Sequence, residues 1–231
     1  LAAQQAAPIV GIFSMIARPS LFMITGPEIR SMAELKGKII GLGSVGGITV
    51  EITRRMLAGH GVAASDFTIV STGDLPVRMA AVKSGAIHAT LGGPPAPSLA
   101  KDMGLNVLAS AADSVDFPLA GLSASLAKIK SNRAEVVAVL TAMLRGLNFV
   151  HNQRGDAIAL VQKIFKMDRA LAEAGYDQTL PAYSKDGMPS SKGVDSVLEL
   201  ARQQGLAKVV SVRDVVDFAP LREAQAALKQ R

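Results

Sequence analysis

Apolar and polar positions follow two spacings along this chain, and each change of spacing marks an element. Leu1 to Gln5 reads as the tail of a helix, and Pro8 to Phe13 (PIVGIF) as a strand closing at Ser14. Leu21 to Thr25 (LFMIT) is the next strand. From there to Ala109 a unit of strand, small-residue turn and helix occurs three times. The strands are Lys38 to Leu42, Phe67 to Val70 and His88 to Leu91, and the turns are Gly43 to Thr49, Ser71 to Leu75 and Gly92 to Pro97. Helices follow over Val50 to His60, Pro76 to Ser84 and Ala96 to Met103, and Asn106 to Ala109 adds a strand. Such alternation predicts an α/β fold with a parallel sheet between helices, whose ligands bind at the carboxyl ends of the strands.

Beyond Asp116 the pattern changes. Phe117 to Ser123 (FPLAGLS) reads as an extended crossing segment, and helical spacing dominates after it. Ser131 to Gln153 carries Val136, Leu140, Met143, Leu147 and Val150 on one stripe, with Asn132 and Glu135 placed as a capping pair. Further helices are predicted over Asp156 to Phe165, Asp168 to Ala174 and Lys192 to Gln204, the last stopping at Gly205. Asp177 to Ser191, rich in Pro, Gly and Ser, is predicted as a loop. The two halves of different character imply two lobes.

The candidate chemistry lies in the first half. Gly43, Ser44, Val45, Gly46, Gly47, Ile48 and Thr49 join a β-branched strand to a helix. The first turn of a helix leaves backbone N–H groups without partners and carries partial positive charge, so this junction suits an anionic or strongly polar group. Ser44 and Thr49 can add hydroxyls to a ligand or simply cap the helix. Gly41, Gly43 and Gly46 also spell GxGxxG, which suits a dinucleotide pyrophosphate. That fingerprint needs an acidic residue at the end of the following strand, where Ser71, Thr72 and Gly73 stand instead and Asp74 comes late.

Composition narrows the function. The 231 residues, 49% hydrophobic, suffice for a full core, and no apolar run unbroken by Gly, Pro or a charge reaches the roughly 20 residues of a membrane helix. Cysteine is absent, which excludes thiolate nucleophiles, thiolate metal sites and disulfides. The net charge of +6 is spread rather than blocked, and two Tyr without Trp give little to stack bases on, so nucleic acid is a poor partner. His60, His88 and His151 sit on separate elements without metal-ligand spacing, and no GxSxG elbow or acid and base pair stands out. Neither a metal nor a cofactor is expected.

The stretches AELKGKIIGLGSVGGITVEITRRML, VRMAAVKSGAIHATLGGPP and DMGLNVLAS, followed by VRDVVDFAPLREA near the end, resemble the periplasmic solute-binding proteins of ABC importers. The nearest branch is the nitrate, sulfonate, taurine and thiamine-precursor group, whose usual Asp in the second stretch is His88 here. The resemblance implies a two-lobe type II periplasmic binding fold, each lobe a mainly parallel sheet flanked by helices. Residues 1–26 and 116–231 would belong to lobe I and 27–115 to lobe II, with an N-terminal strand, helix and strand missing from the chain. It further implies an exported monomer, its signal peptide absent here, that captures a small anionic or polar solute between the lobes by hinge closure. The solute would then pass to a membrane permease. Contacts carried over are Ser14 in lobe I, Ser44 to Thr49 and Thr72, Gly73 and Asp74 in lobe II, and Gly92, Gly93 and Pro94 opposite. Without the resemblance, Ser14 would simply end a strand, Asp74 would cap the next helix, and Gly92 to Pro95 would be a rigid turn. Related enzymes that make a thiamine pyrimidine precursor carry a cysteine-rich motif, which this chain lacks, so a non-enzymatic role is expected. A ligand-sensing receptor domain and an NAD(P)-dependent enzyme are the alternatives.

Overall fold

The computed structural model describes residues 9–203 and 211–229. The expected helix tail at Leu1 to Gln5 and the stop at Gly205 lie outside them. In chain order the elements begin with β1 (Ile9–Ile16), β2 (Phe22–Thr25), β3 (Ile39–Leu42), α1 (Ile48–Ala58), β4 (Thr68–Ser71), α2 (Leu75–Lys83), β5 (Ala89–Gly92), α3 (Ala96–Asp102) and β6 (Asn106–Ser110). They continue with β7 (Ala120–Ser125), α4 (Leu126–Ser131), α5 (Arg133–Asn152), α6 (Arg154–Phe165), α7 (Arg169–Thr179), α8 (Ser191–Gln203), α9 (Val212–Val215) and α10 (Ala219–Lys229). The chain divides into two compact units, one of Leu1–Arg18, Asp116–Leu160 and Leu180–Arg231, the other of Pro19–Val115 and Val161–Thr179. We call them unit 1 and unit 2.

Unit 2 is built on a five-stranded sheet in the order β4-β3-β5-β2-β6. β3 runs parallel to β4 and β5, as the strand-turn-helix repeat requires, whereas β2 runs antiparallel to both β5 and β6. The sheet is therefore mixed. The apolar run of β2 predicts burial but carries no direction, because a strand hydrophobic on both faces fits a neighbour either way. Ile24, Met79, Val82, Ile87, Ala96, Ala100 and Leu105 form the core between the sheet, α2 and α3. His88 is structural: its Nδ1 accepts the Ile39 amide at 3.2 Å and ties β3 to the start of β5.

In unit 1 the described strands are an antiparallel pair, β1 with β7, where the resemblance implied a mainly parallel sheet. Val216 adds a single parallel bridge to Gly11. Val10, Ile12 and Phe13 pack against Val136, Leu140, Leu144 and Leu147 of α5 and Leu221 and Ala224 of α10. α5 has the length and hydropathy of a membrane span, yet that stripe is what the unit buries as core. Asn132 and Glu135 do not form the expected capping pair. Asn132 makes no side-chain cap, and its Nδ2 donates to the Glu135 carboxylate at 2.6 Å instead. The predicted loop from Asp177 is shorter than expected, since α7 continues to Thr179.

Arg133 donates through Nε (3.0 Å) and Nη2 (2.6 Å) to Glu223, joining the start of α5 to α10. This bidentate pair holds the Glu223 carboxyl below its ordinary range. A carboxyl whose pKa is depressed by folding adds stability that is present above its unfolded value and is lost as pH falls through the folded value. Glu223→Gln should therefore flatten the acid side of the stability curve in urea unfolding measured over a pH series. A curve of unchanged steepness would remove Glu223 from the acid response.

Candidate ligand-binding site

The parallel relation of β3, β4 and β5 places their carboxyl ends on one edge of the unit 2 sheet, where the order of strands puts a natural crevice. Near its carboxyl end β3 carries Gly41, where a Cβ would collide with Ile87 and sit 2.7 Å from Thr72 Oγ1. The loop Gly43 to Gly47 is exposed and ends at Gly47, whose φ of +87° is a conformation that favours glycine. α1 starts there without a side-chain cap, so its first-turn amides face outward unclaimed by any cap. Ser44 neither caps the helix nor points free, because its Oγ donates to Gly46 O at 2.7 Å and braces the loop. Val45 is 65% exposed, while Ile48 and Thr49 are half-buried in the first turn.

β4 continues into Thr72, whose amide donates to Leu42 O at 2.9 Å, while Ser71 Oγ donates to Gly43 O at 3.2 Å. Both bonds lash the second turn to the first. Asp74 takes the N-cap position of α2 but makes no side-chain cap bond, contrary to the simple capping reading. At the end of β5, Gly92 is wedged so that a Cβ would stand 2.6 Å from the Ala96 Cβ. The following turn is closed by the Ala96 amide donating to Gly93 O at 2.9 Å, with Gly93 and Pro94 half-buried.

The residue that knits these turns together is Arg78, which the sequence reading left outside the site. Its Nη1 donates to Gly73 O at 3.1 Å and its Nη2 to Leu91 O at 3.2 Å. Nε is buried with no partner, as is Thr72 Oγ1. Burial lowers the Arg78 pKa, and the charge of Asp74 partly opposes the shift. The guanidinium still carries its charge at neutral pH, because arginine does not deprotonate in proteins. One sequence signal was available. Leu75, Arg78, Met79 and Val82 share the stripe of α2 that faces the sheet, so an arginine stands among apolar positions.

Ser14 lies apart from these loops in sequence and belongs to unit 1. It is 5% exposed, its amide donates to Gly187 O at 2.7 Å, and its Oγ has no partner. It borders a hollow of about 230 Å3 lined by Phe13, Val194, Val216 and Phe218 among others. Of the carried-over residues, then, those of unit 2 converge on one sheet edge and Ser14 occupies a separate place in its own unit.

The first two glycines of GxGxxG have their reason in packing, whereas Gly46 borders open space. Gly41 makes room for Thr72 and Ile87, and Gly43 lies where a Cβ would be 3.0 Å from Arg78 Nη1. β4 ends at Ser71, which offers no carboxylate to a ribose. Among the described residues no cluster of His, Asp and Glu could hold a metal ion.

A family model described as NMT1/THI5 like matches residues 1–157 of the chain. The chain belongs to this family. A search of curated proteins by sequence returns no match. Among solved structures, the periplasmic aliphatic sulphonate binding protein SsuA of Escherichia coli is similar at a TM-score of 0.76 and 20% identity, covering 94% of this chain and 71% of that one. The alkanesulfonate-binding protein SsuA of Xanthomonas axonopodis pv. citri, bound to MOPS, is similar at a TM-score of 0.71 and 17% identity, covering 96% and 75%. The desulfurization enzyme DSZB is also similar, at a TM-score of 0.62 and 11% identity, covering 97% and 80%. At these identities the likeness is one of fold. The fold of the family member described here is thus the α/β fold of the SsuA-type periplasmic binding proteins.

Proposed function

We propose that this family member is an extracytoplasmic solute-binding protein that captures a small anionic or polar solute and delivers it to an ABC transporter permease. The observation that carries the reading is the convergence of the uncapped α1 N-terminus with the Arg78 guanidinium at the ends of β3, β4 and β5. Both present positive potential and N–H donors, the two things a sulfonate or carboxylate oxygen needs. Gly43, Gly46 and Gly47 let a ligand approach the backbone, Thr49 and Thr72 supply hydroxyls, and Val45 and Ile48 supply apolar cover. Gly73, Asp74, Gly92, Gly93 and Pro94 complete the rim.

Transport rather than turnover is favoured by the absence of cysteine from the chain and by the sulfonate-binding proteins among its structural neighbours. A cysteine-to-serine mutant of DSZB is among the similar structures, in complex with biphenyl-2-sulfinic acid. No residue of this chain can act as a thiol. The protein would work as a monomer outside the cytoplasm.

A thermal-shift screen against alkanesulfonates, nitrate, aromatic carboxylates, thiamine precursors and NAD(P) tests the reading. A ligand at 100 times its dissociation constant stabilises a fold by about 2.7 kcal/mol, a readily measured shift. A shift with one small solute class supports capture and names the class. A shift with NAD(P) alone would overturn it in favour of a dinucleotide enzyme.

A further inference from the structure

Unit 1 holds a second, larger hollow of about 940 Å3 where the last turns of α5 and α10 meet the loop 184–188. Arg145, Lys185 and Lys229 line it. Among the described residues none of these three makes an ion pair or a side-chain hydrogen bond. The carboxylate in the lining, Asp186, is already occupied, since its Oδ1 accepts from the Met188 amide at 2.9 Å and from Ser184 Oγ at 3.2 Å. Three cations thus share one concavity with a single carboxylate, which is ion-paired to none of them.

The simplest alternative is that the cations merely complement helix dipoles. It accounts for Lys229, the last residue of α10, because a cation within the final turn of a helix is stabilised there. It does not account for Arg145, about two turns before the end of α5, or for Lys185, which is on no helix. We propose that this hollow is a docking site for an acidic segment of a protein partner. Its volume exceeds that of a single oxyanion many times over, and the amides of Asn148 and Gln153 beside the cations suit peptide groups as well as carboxylates. Phe149 and Leu228 give the same hollow an apolar floor for side chains between the acids. The site shares no residue with the strand-end loops of unit 2, so it stands or falls separately from the solute reading.

The test is fluorescence anisotropy of a labelled peptide of alternating Glu and Gly, against the same peptide with Gln for Glu. The Glu peptide should bind the full chain and weaken as salt is added, because the pairs are exposed to screening. Combining Arg145→Glu, Lys185→Glu and Lys229→Glu should weaken it roughly tenfold or more, as reversal of complementary charge does, with an unchanged circular dichroism spectrum. Lys83→Glu with Lys101→Glu, in unit 2, should leave it unchanged. Equal binding of the Gln peptide, or equal loss in the unit 2 control, would overturn the proposal. So would binding of anionic phosphatidylglycerol vesicles but not of the peptide, which would make the hollow a membrane contact.

Discussion

Arg78→Met should lower the affinity for an anionic solute roughly tenfold or more, a loss of about 1.4 kcal/mol or more. The guanidinium is the only side-chain cation that the structure places on the strand-end carbonyls of Gly73 and Leu91 among the described residues. Removing it takes away the charge and frees two turns that it ties together. Charge-assisted hydrogen bonds contribute roughly 1.5–3 kcal/mol each when buried, and less where solvent screens them, so about 2 kcal/mol of unit 2 stability should go with it. Arg78→Lys separates the two effects. Lysine keeps the charge but lacks the planar fork, so part of the affinity should return while the bridge between Gly73 and Leu91 does not. Titration calorimetry with the solute found by thermal shift, beside urea unfolding, reads both. Unchanged affinity in a folded Arg78→Met variant would take Arg78 out of the binding site and leave it a brace.

Gly121→Ala should destabilise unit 1 by about 3 kcal/mol, the upper end of what an added methyl in a tight contact costs. A Cβ at Gly121 would overlap the Phe13 carbonyl oxygen, and the next contacts are also backbone, Phe13 C and Ser14 Cα. A flexible side chain could swing aside; a strand backbone held in register cannot. Gly121 is paired with Ser14, beside a register shift between Ser14 and Ile16, so relief would have to come from unzipping β1 and β7. Hydrogen exchange should show loss of protection over β1 and β7 while β3 and β5 keep theirs. A variant that melts with the wild type, with β1 still protected, would show that the strands can separate locally at little cost.

Much of unit 2 was legible because each of its strands is a short apolar run followed at once by glycine or a small polar turn. β3, β5 and the helices after them fall within two residues of their predicted bounds. The strand-end loops were legible for the same reason. Arg78 was not, since reading inward stripes for apolar residues passes over an arginine that is half-buried by its reach to backbone carbonyls. Asp74 and the Asn132 and Glu135 pair show the converse. Cap positions follow from sequence, but whether the side chain bonds the helix end depends on which neighbour it meets first.

The sequence by itself determined where the strands, helices and turns fall and which turns carry glycine, because local sterics and hydrophobic spacing act between near neighbours. The absence of cysteine likewise removed thiol chemistry before any fold was known. Only the tertiary structure decided that β2 runs against its neighbours and that β1 pairs with β7 across more than 100 residues. Only it brought Arg78 to Gly73 and Leu91, and Arg145, Lys185 and Lys229 to one hollow. Those outcomes depend on pairing and packing between segments distant in the chain, whose free energy resides in no single stretch of residues.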